Sequence, residues 1–113
     1  MKKPIIDFIQ AIEENHFIEA HEILEGSWKI LKNQDKPEEA RIQKGLINGA
    51  TAVGLYVQKD RPEAARRLWQ SYAEKYRPVI LASTDLPHTM LYHEAVGILD
   101  GKWERLASSV QMH

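Results

Sequence analysis

Between Pro37 and Asp60 the chain runs for roughly 20 residues with no proline and no cluster of turn formers, room for one helix about 30 Å long. In a chain of 113 residues, a helix of that length crosses the whole of a small domain, so the remaining elements must pack around it. We place this helix at about Glu38 to Lys59 and expect it to be the central element. Its middle carries Gly45 and Gly49 four residues apart, and an interior glycine costs about 1 kcal/mol relative to alanine. Close approach of another backbone offsets that cost, which predicts that the second helix crosses at these glycines; the sharper alternative is that they floor a ligand pocket.

Apolar residues elsewhere recur at helical spacing, and no segment alternates as a strand would. Pro4 suits a first helical turn, after which Ile5, Phe8, Ile9 and Ile12 form one stripe that stops near Asn15. A second helix is expected over about Phe17 to Lys32, with Phe17, Ala20, Leu24 and Leu31 inward, followed by a loop from Asn33 to Pro37. Asp60, Arg61, Pro62 and Glu63 have the form of a capping box that starts a fourth helix with Ala64, Ala65, Leu68, Trp69, Tyr72 and Tyr76 inward, and Pro78 should end it. Thr84 and Asp85 mark a fifth start, carrying Leu91, Ala95, Val96 and Leu99 as far as Asp100 and Gly101, and a short helix over about Lys102 to Val110 closes the chain. Residues 17–24 and 61–68 share Glu, Ala and Leu at an offset of 44, a weak echo of helical-hairpin repeats. The expectation is one all-α domain over residues 1–113: a compact bundle of five to six helices, with tetratricopeptide-like hairpin packing around the long central helix.

The absence of cysteine removes thiolate catalysis, cysteine-ligated zinc, iron–sulfur clusters and disulfides, so any metal would need His, Asp or Glu. Net charge is −1, but residues 41–77 hold eight basic and three acidic groups while the flanking segments are acidic. Complementarity between neighbouring helices accounts for that division; a nucleic-acid partner is not expected, because it normally makes a whole domain basic. Lys59, Arg61, Arg66 and Arg67 form the one local basic cluster, read as a solvated helix face. Asp7 and Gln10 interrupt the start before an apolar run of signal-peptide length forms, and no stretch approaches the roughly 18 apolar residues of a membrane span. These features lead us to expect a soluble, cytoplasmic protein without membrane association.

The chemistry concentrates in Glu19 to Trp28, where one histidine and three carboxylates surround a helix. At 100° per residue His21, Glu25 and Trp28 fall within roughly 60° of one another, with Glu22 turned further towards solvent. In a structural role, Glu25 orients His21, both satisfy polar groups of the third helix such as Lys44 or Asn48, and Trp28 covers the pair. In a metal role, His21 with Glu25 or Glu22 supplies ligands and another helix completes the set, His88 and His93 contributing only if the fifth helix packs beside the second. The order His-Glu-x-x-Glu matches neither the Glu-x-x-His of di-iron bundles nor the His-Glu-x-x-His of zinc proteases. In an acid–base role, Glu25 raises the basicity of His21 above a pocket floored by Gly45 and Gly49. No nucleophile motif or phosphate-cradling loop is present, and Ser27, Thr51, Ser71 and Ser83 are unsupported as nucleophiles.

Residues 17–25 with Trp28, the segment from Lys44 to Tyr56, and residues 60–68 together resemble the bacterial and archaeal proteins grouped as domain of unknown function 309. Lys59 and Asp60 stand where that family tends to have Gly-Asn, and residues 78–113 add nothing to the resemblance. It implies an all-α fold and a cytoplasmic protein, and it supplies no reaction. Two functional expectations follow. The first is a binding or scaffold module, possible as a homo-oligomer or with a protein partner, marked by an exposed apolar patch including Trp69, Tyr92 or Trp103. The second is a small-molecule or metal site, such as a hydrolase or acid–base enzyme, with His21, Glu22 and Glu25 converging on Lys44 or Asn48. No cofactor is expected; a divalent metal belongs to the second alternative.

Overall fold

In the computed structural model, which describes residues 2–111, six α-helices and one π-helical turn follow one another: α1 (Lys3–Glu13), α2 (Phe17–Asn33), α3 (Pro37–Val57), α4 (Pro62–Ser71), the π turn (Tyr72–Tyr76), α5 (Arg77–Ala82) and α6 (Thr89–Gln111). No strand is present among these residues. α3 is the central element: α2 lies along one side of it, and α4, the π turn and α6 pack on others. α1 closes the core against α2 and α6. The expected all-α bundle around a long third helix is what forms.

The turns share one device. Asn15, Asp35 and Asp60 each adopt a left-handed backbone, with φ of 65°, 57° and 52°, a conformation that Asn and Asp tolerate better than other residues with a side chain. Each is followed by one non-helical residue, His16, Lys36 or Arg61, before the next helix begins. The amides of His16 and Lys36 reach back to the carbonyls of Ala11 (2.8 Å) and Leu31 (3.1 Å), the long bond of a Schellman motif that satisfies a helix end. Asp60 is therefore the residue that turns the chain and not an N-cap: α4 has no side-chain cap, which corrects the capping box read from Asp60 and Glu63. The start of α2 is capped from a distance, Gln58 Oε1 accepting from the amides of Phe17 (2.9 Å) and Ile18 (3.1 Å).

The glycines of α3 face different neighbours from those expected. A Cβ on Gly45 would lie 2.6 Å from Tyr76 Cβ, and one on Gly49 would touch Leu99 and Tyr72, so this pair receives the π turn and α6. α2 crosses one turn further along, at Gly54, against Phe17 and Ile18. Neither Gly45 nor Gly49 floors an open pocket, because aromatic rings fill the space. Pro78 does not end the fourth helix; the chain widens into the π turn and continues, and Pro78 sits in the first turn of α5, where its missing N–H costs little.

The last helix also differs. His88 takes the left-handed conformation (φ 66°) and α6 starts at Thr89, later than the Thr84 and Asp85 signal. It then runs unbroken through Asp100 and Gly101, where the sequence suggested two helices. Within that helix Asp100 is held by Arg77 of α5, whose Nε lies 3.0 Å from both carboxylate oxygens. A Cβ at Gly97 or Gly101 would meet nothing within 4 Å. Gly97→Ala and Gly101→Ala should therefore each raise stability by up to about 1 kcal/mol, read as a higher urea midpoint with unchanged slope; a lower midpoint would place these positions against a packed surface.

Candidate functional site

α2 projects His21 and Glu25 from adjacent turns, and the imidazole Nε2 lies 2.7 Å from Glu25 Oε2. Both side chains are about one-third exposed, at 31% and 37%. The other ring nitrogen, Nδ1, lies 3.0 Å from Thr51 Oγ1 on α3, and that hydroxyl stands 2.8 Å from the Ile47 carbonyl. A carboxylate only accepts, so Nε2 carries a proton towards Glu25. The single Thr51 proton goes either to Nδ1 of a neutral ring or to the Ile47 carbonyl, and in the second arrangement Nδ1 is hydrogen-bonded only if it carries a proton of its own, making the ring an imidazolium. The His21 hydrogen bond, and after it that of Lys29 (3.3 Å), hold the Glu25 carboxyl below the usual carboxylate range.

The residues named with this pair separate. Glu22 is exposed. Trp28 is half-buried against the core and carries two ammonium groups over its ring, those of Lys32 at 5.1 Å and Lys44 at 5.3 Å. Lys44 thus meets Trp28 and not His21, and Asn48 makes none of the site's hydrogen bonds. Thr51 is the α3 partner, a role that sequence spacing could not assign because it depends on the register between two helices. Among the described residues, no group of three or more His, Asp or Glu side chains is placed to hold a metal ion. His93 is engaged elsewhere, its Nε2 2.9 Å from the Ile80 carbonyl.

A second polar cluster lies deeper. Tyr92 of α6 donates its hydroxyl to Glu39 Oε2 at 2.6 Å and accepts from Gln43 Nε2 at 2.9 Å. Glu39, Gln43 and Tyr92 are all buried, at 8%, 1% and 1% exposure. Beside them is a cavity of about 90 Å³ lined by Ser27, Leu31, Gln34, Lys36, Glu39, Gln43, Pro87 and His88. His88 lines this cavity together with Ser27 and Leu31 of α2. The signal in the sequence was Glu39 and Gln43 at i, i+4 on the central helix, a polar pair on what must be a covered face.

Tyr92, expected in an exposed apolar patch, is a core residue. Trp69 and Trp103 stack on each other with centroids 4.8 Å apart, Tyr56 meeting Trp103 edge-on at 6.1 Å. The large apolar residues that are exposed, Ile6, Ile30, Val57, Val79, Leu81 and Met90, are spread over α1, α2, α3, α5 and α6. No helix among the described residues is long and apolar enough to cross a membrane.

Neither the curated proteins nor the solved structures contain a match to this chain. The family model described as domain of unknown function (DUF309) matches residues 5–68, a span that covers more than half of the chain and includes His21, Glu25, Thr51, Glu39 and Gln43, and the chain belongs to that family.

Proposed function

We propose that the protein is a binding or scaffold module in which His21 and Glu25 serve the architecture. The observation that carries this is the placing of Glu25 against His21 Nε2 and of Thr51 against Nδ1, which sets a protein polar atom at each imidazole nitrogen and links α2 to α3. A general base needs a nitrogen directed at substrate, and a metal ligand needs a free lone pair. The burial of Tyr92 takes it out of any docking face, while Trp69 and Trp103 stay half-buried and line a surface cavity of about 310 Å³.

Thr51→Val tests the reading, because it keeps the shape and removes the hydroxyl. The expected loss is about 1 kcal/mol, with a His21/Thr51 double-mutant cycle giving a coupling of about 0.5 kcal/mol or more. Unchanged stability would remove the structural role. The alternative, a small-molecule or metal site on His21, Glu22 and Glu25, draws on the partial exposure of the His21–Glu25 pair. Metal analysis of the natively purified protein decides it: stoichiometric metal abolished by His21→Ala would replace the module reading with that one.

A further inference from the structure

We propose that the cavity between α2, α3 and the turn before α6 binds a small primary ammonium ion with a short apolar tail, its head held by Ser27, Gln43 and Glu39. This rests on the binding-module reading and gives it a site and a ligand class. Ser27 and Gln43 are only 3% and 1% exposed, yet Ser27 Oγ and Gln43 Oε1 have no hydrogen-bond partner in the protein. Native structures seldom leave such atoms without one. Ser27, Gln43 and Glu39 all line the cavity of about 90 Å³.

The ligand's chemistry follows from where the protons go. Tyr92 has one hydroxyl proton and gives it to Glu39, so Gln43 must present its NH₂ to the Tyr92 oxygen; this fixes the amide orientation and turns the carbonyl elsewhere. The phenol proton and one of the two amide protons are thereby spent within the protein. Towards a guest, Gln43, Ser27 and Glu39 offer a carbonyl, a hydroxyl and carboxylate lone pairs, a set dominated by acceptors; of the other polar lining residues, Gln34 and Lys36 are exposed and His88 is half-buried. A primary ammonium, with three donors and no acceptor, complements that set, whereas an anion would meet lone pairs. Lys36 also lines the cavity, and its exposed side chain can extend its ammonium into solvent.

The tail follows from the walls. Leu31 and Pro87 bound the polar cavity, and an adjoining one of about 310 Å³ shares Lys36, Glu39 and Pro87 with it and adds Pro37, Glu38 and Leu86. A chain of a few methylenes on the ammonium head would extend along the shared residues towards Leu86 and Pro87. Bare water would satisfy the head of the site but would gain nothing from this apolar extension.

The test is an amide NMR titration of the intact protein with n-butylammonium chloride, with n-butanol and sodium butyrate as neutral and anionic controls of the same length. Saturable shifts at Ser27, Gln43 and Tyr92 with butylammonium, weakened about tenfold or more by Glu39→Gln and also weakened by Ser27→Ala, are expected. Gln at position 39 keeps an oxygen for Tyr92, and Ala at position 27 keeps the packing, so both variants should fold. Absence of saturable shifts overturns the proposal, as does butanol binding equally well, which would mark a water site, or tighter binding of butyrate. If butylammonium fails while Thr51→Val still loses stability, only this site falls; metal bound through His21 would instead remove the module reading itself.

Discussion

Gly45→Ala is expected to lower the unfolding free energy by about 2 kcal/mol, although alanine is the better helix former. Removing an interior glycine should gain about 1 kcal/mol. Against this, the new Cβ would stand 2.6 Å from Tyr76 Cβ and 2.9 Å from its Cγ, and overpacking of that kind costs up to about 3 kcal/mol. The packing cost is the larger. Tyr76→Ala should not rescue the variant, because the closest contact is to the Cβ that alanine retains, whereas Tyr76→Gly should recover part of the loss. Gly49→Ala makes a gentler comparison: its nearest neighbour is Leu99 Cδ1 at 3.0 Å, the end of a flexible side chain. Chemical denaturation of the three backgrounds decides the point, and a Gly45→Ala protein as stable as the parent would mean that the π turn does not press on α3.

The same glycines show where sequence reasoning stops. Spacing alone predicts that something approaches Gly45 and Gly49, and something does; which element it is depends on the path after α4, set by a π turn that no residue announces. The helices themselves were legible because Phe17, Ala20, Leu24 and Leu31, or Leu91, Ala95, Val96 and Leu99, repeat at a period that only a helix can bury on one face. Asp60 was misread because a short acidic side chain suits both an N-cap and a left-handed turn, and the choice is made by the carbonyls of the preceding helix, which the Arg61 amide reaches at Leu55 (2.8 Å). The His21–Glu25 contact was legible for the opposite reason: it lies within one helix, where spacing is geometry. Its partner Thr51, and the meeting of Glu39 and Gln43 with Tyr92 some 50 residues away, needed the tertiary register.

Tyr92→Phe is expected to cost about 3 kcal/mol, and Tyr72→Phe to be neutral or to gain up to about 1 kcal/mol, though both tyrosines are fully covered core residues. The difference lies in the hydroxyl. That of Tyr92 serves a buried carboxylate and a buried amide at once, so its loss strands both Glu39 and Gln43. That of Tyr72 is itself buried without a partner, and deleting it removes a desolvated dipole. A pH titration separates the two further. Burial, and then the charge of Asp100, push the Tyr72 phenol above its usual range; burial, and then the Glu39 hydrogen bond, do the same for Tyr92. An unfolded tyrosine releases its proton near pH 10, so above that pH the native state binds more protons than the unfolded one and stability falls as pH rises. Each Phe variant removes one such group and should flatten the decline. If Tyr92→Phe is as stable as Tyr72→Phe at neutral pH, the carboxylate is not held by the phenol, and the acceptor-rich cavity beside it loses the arrangement that orients Gln43.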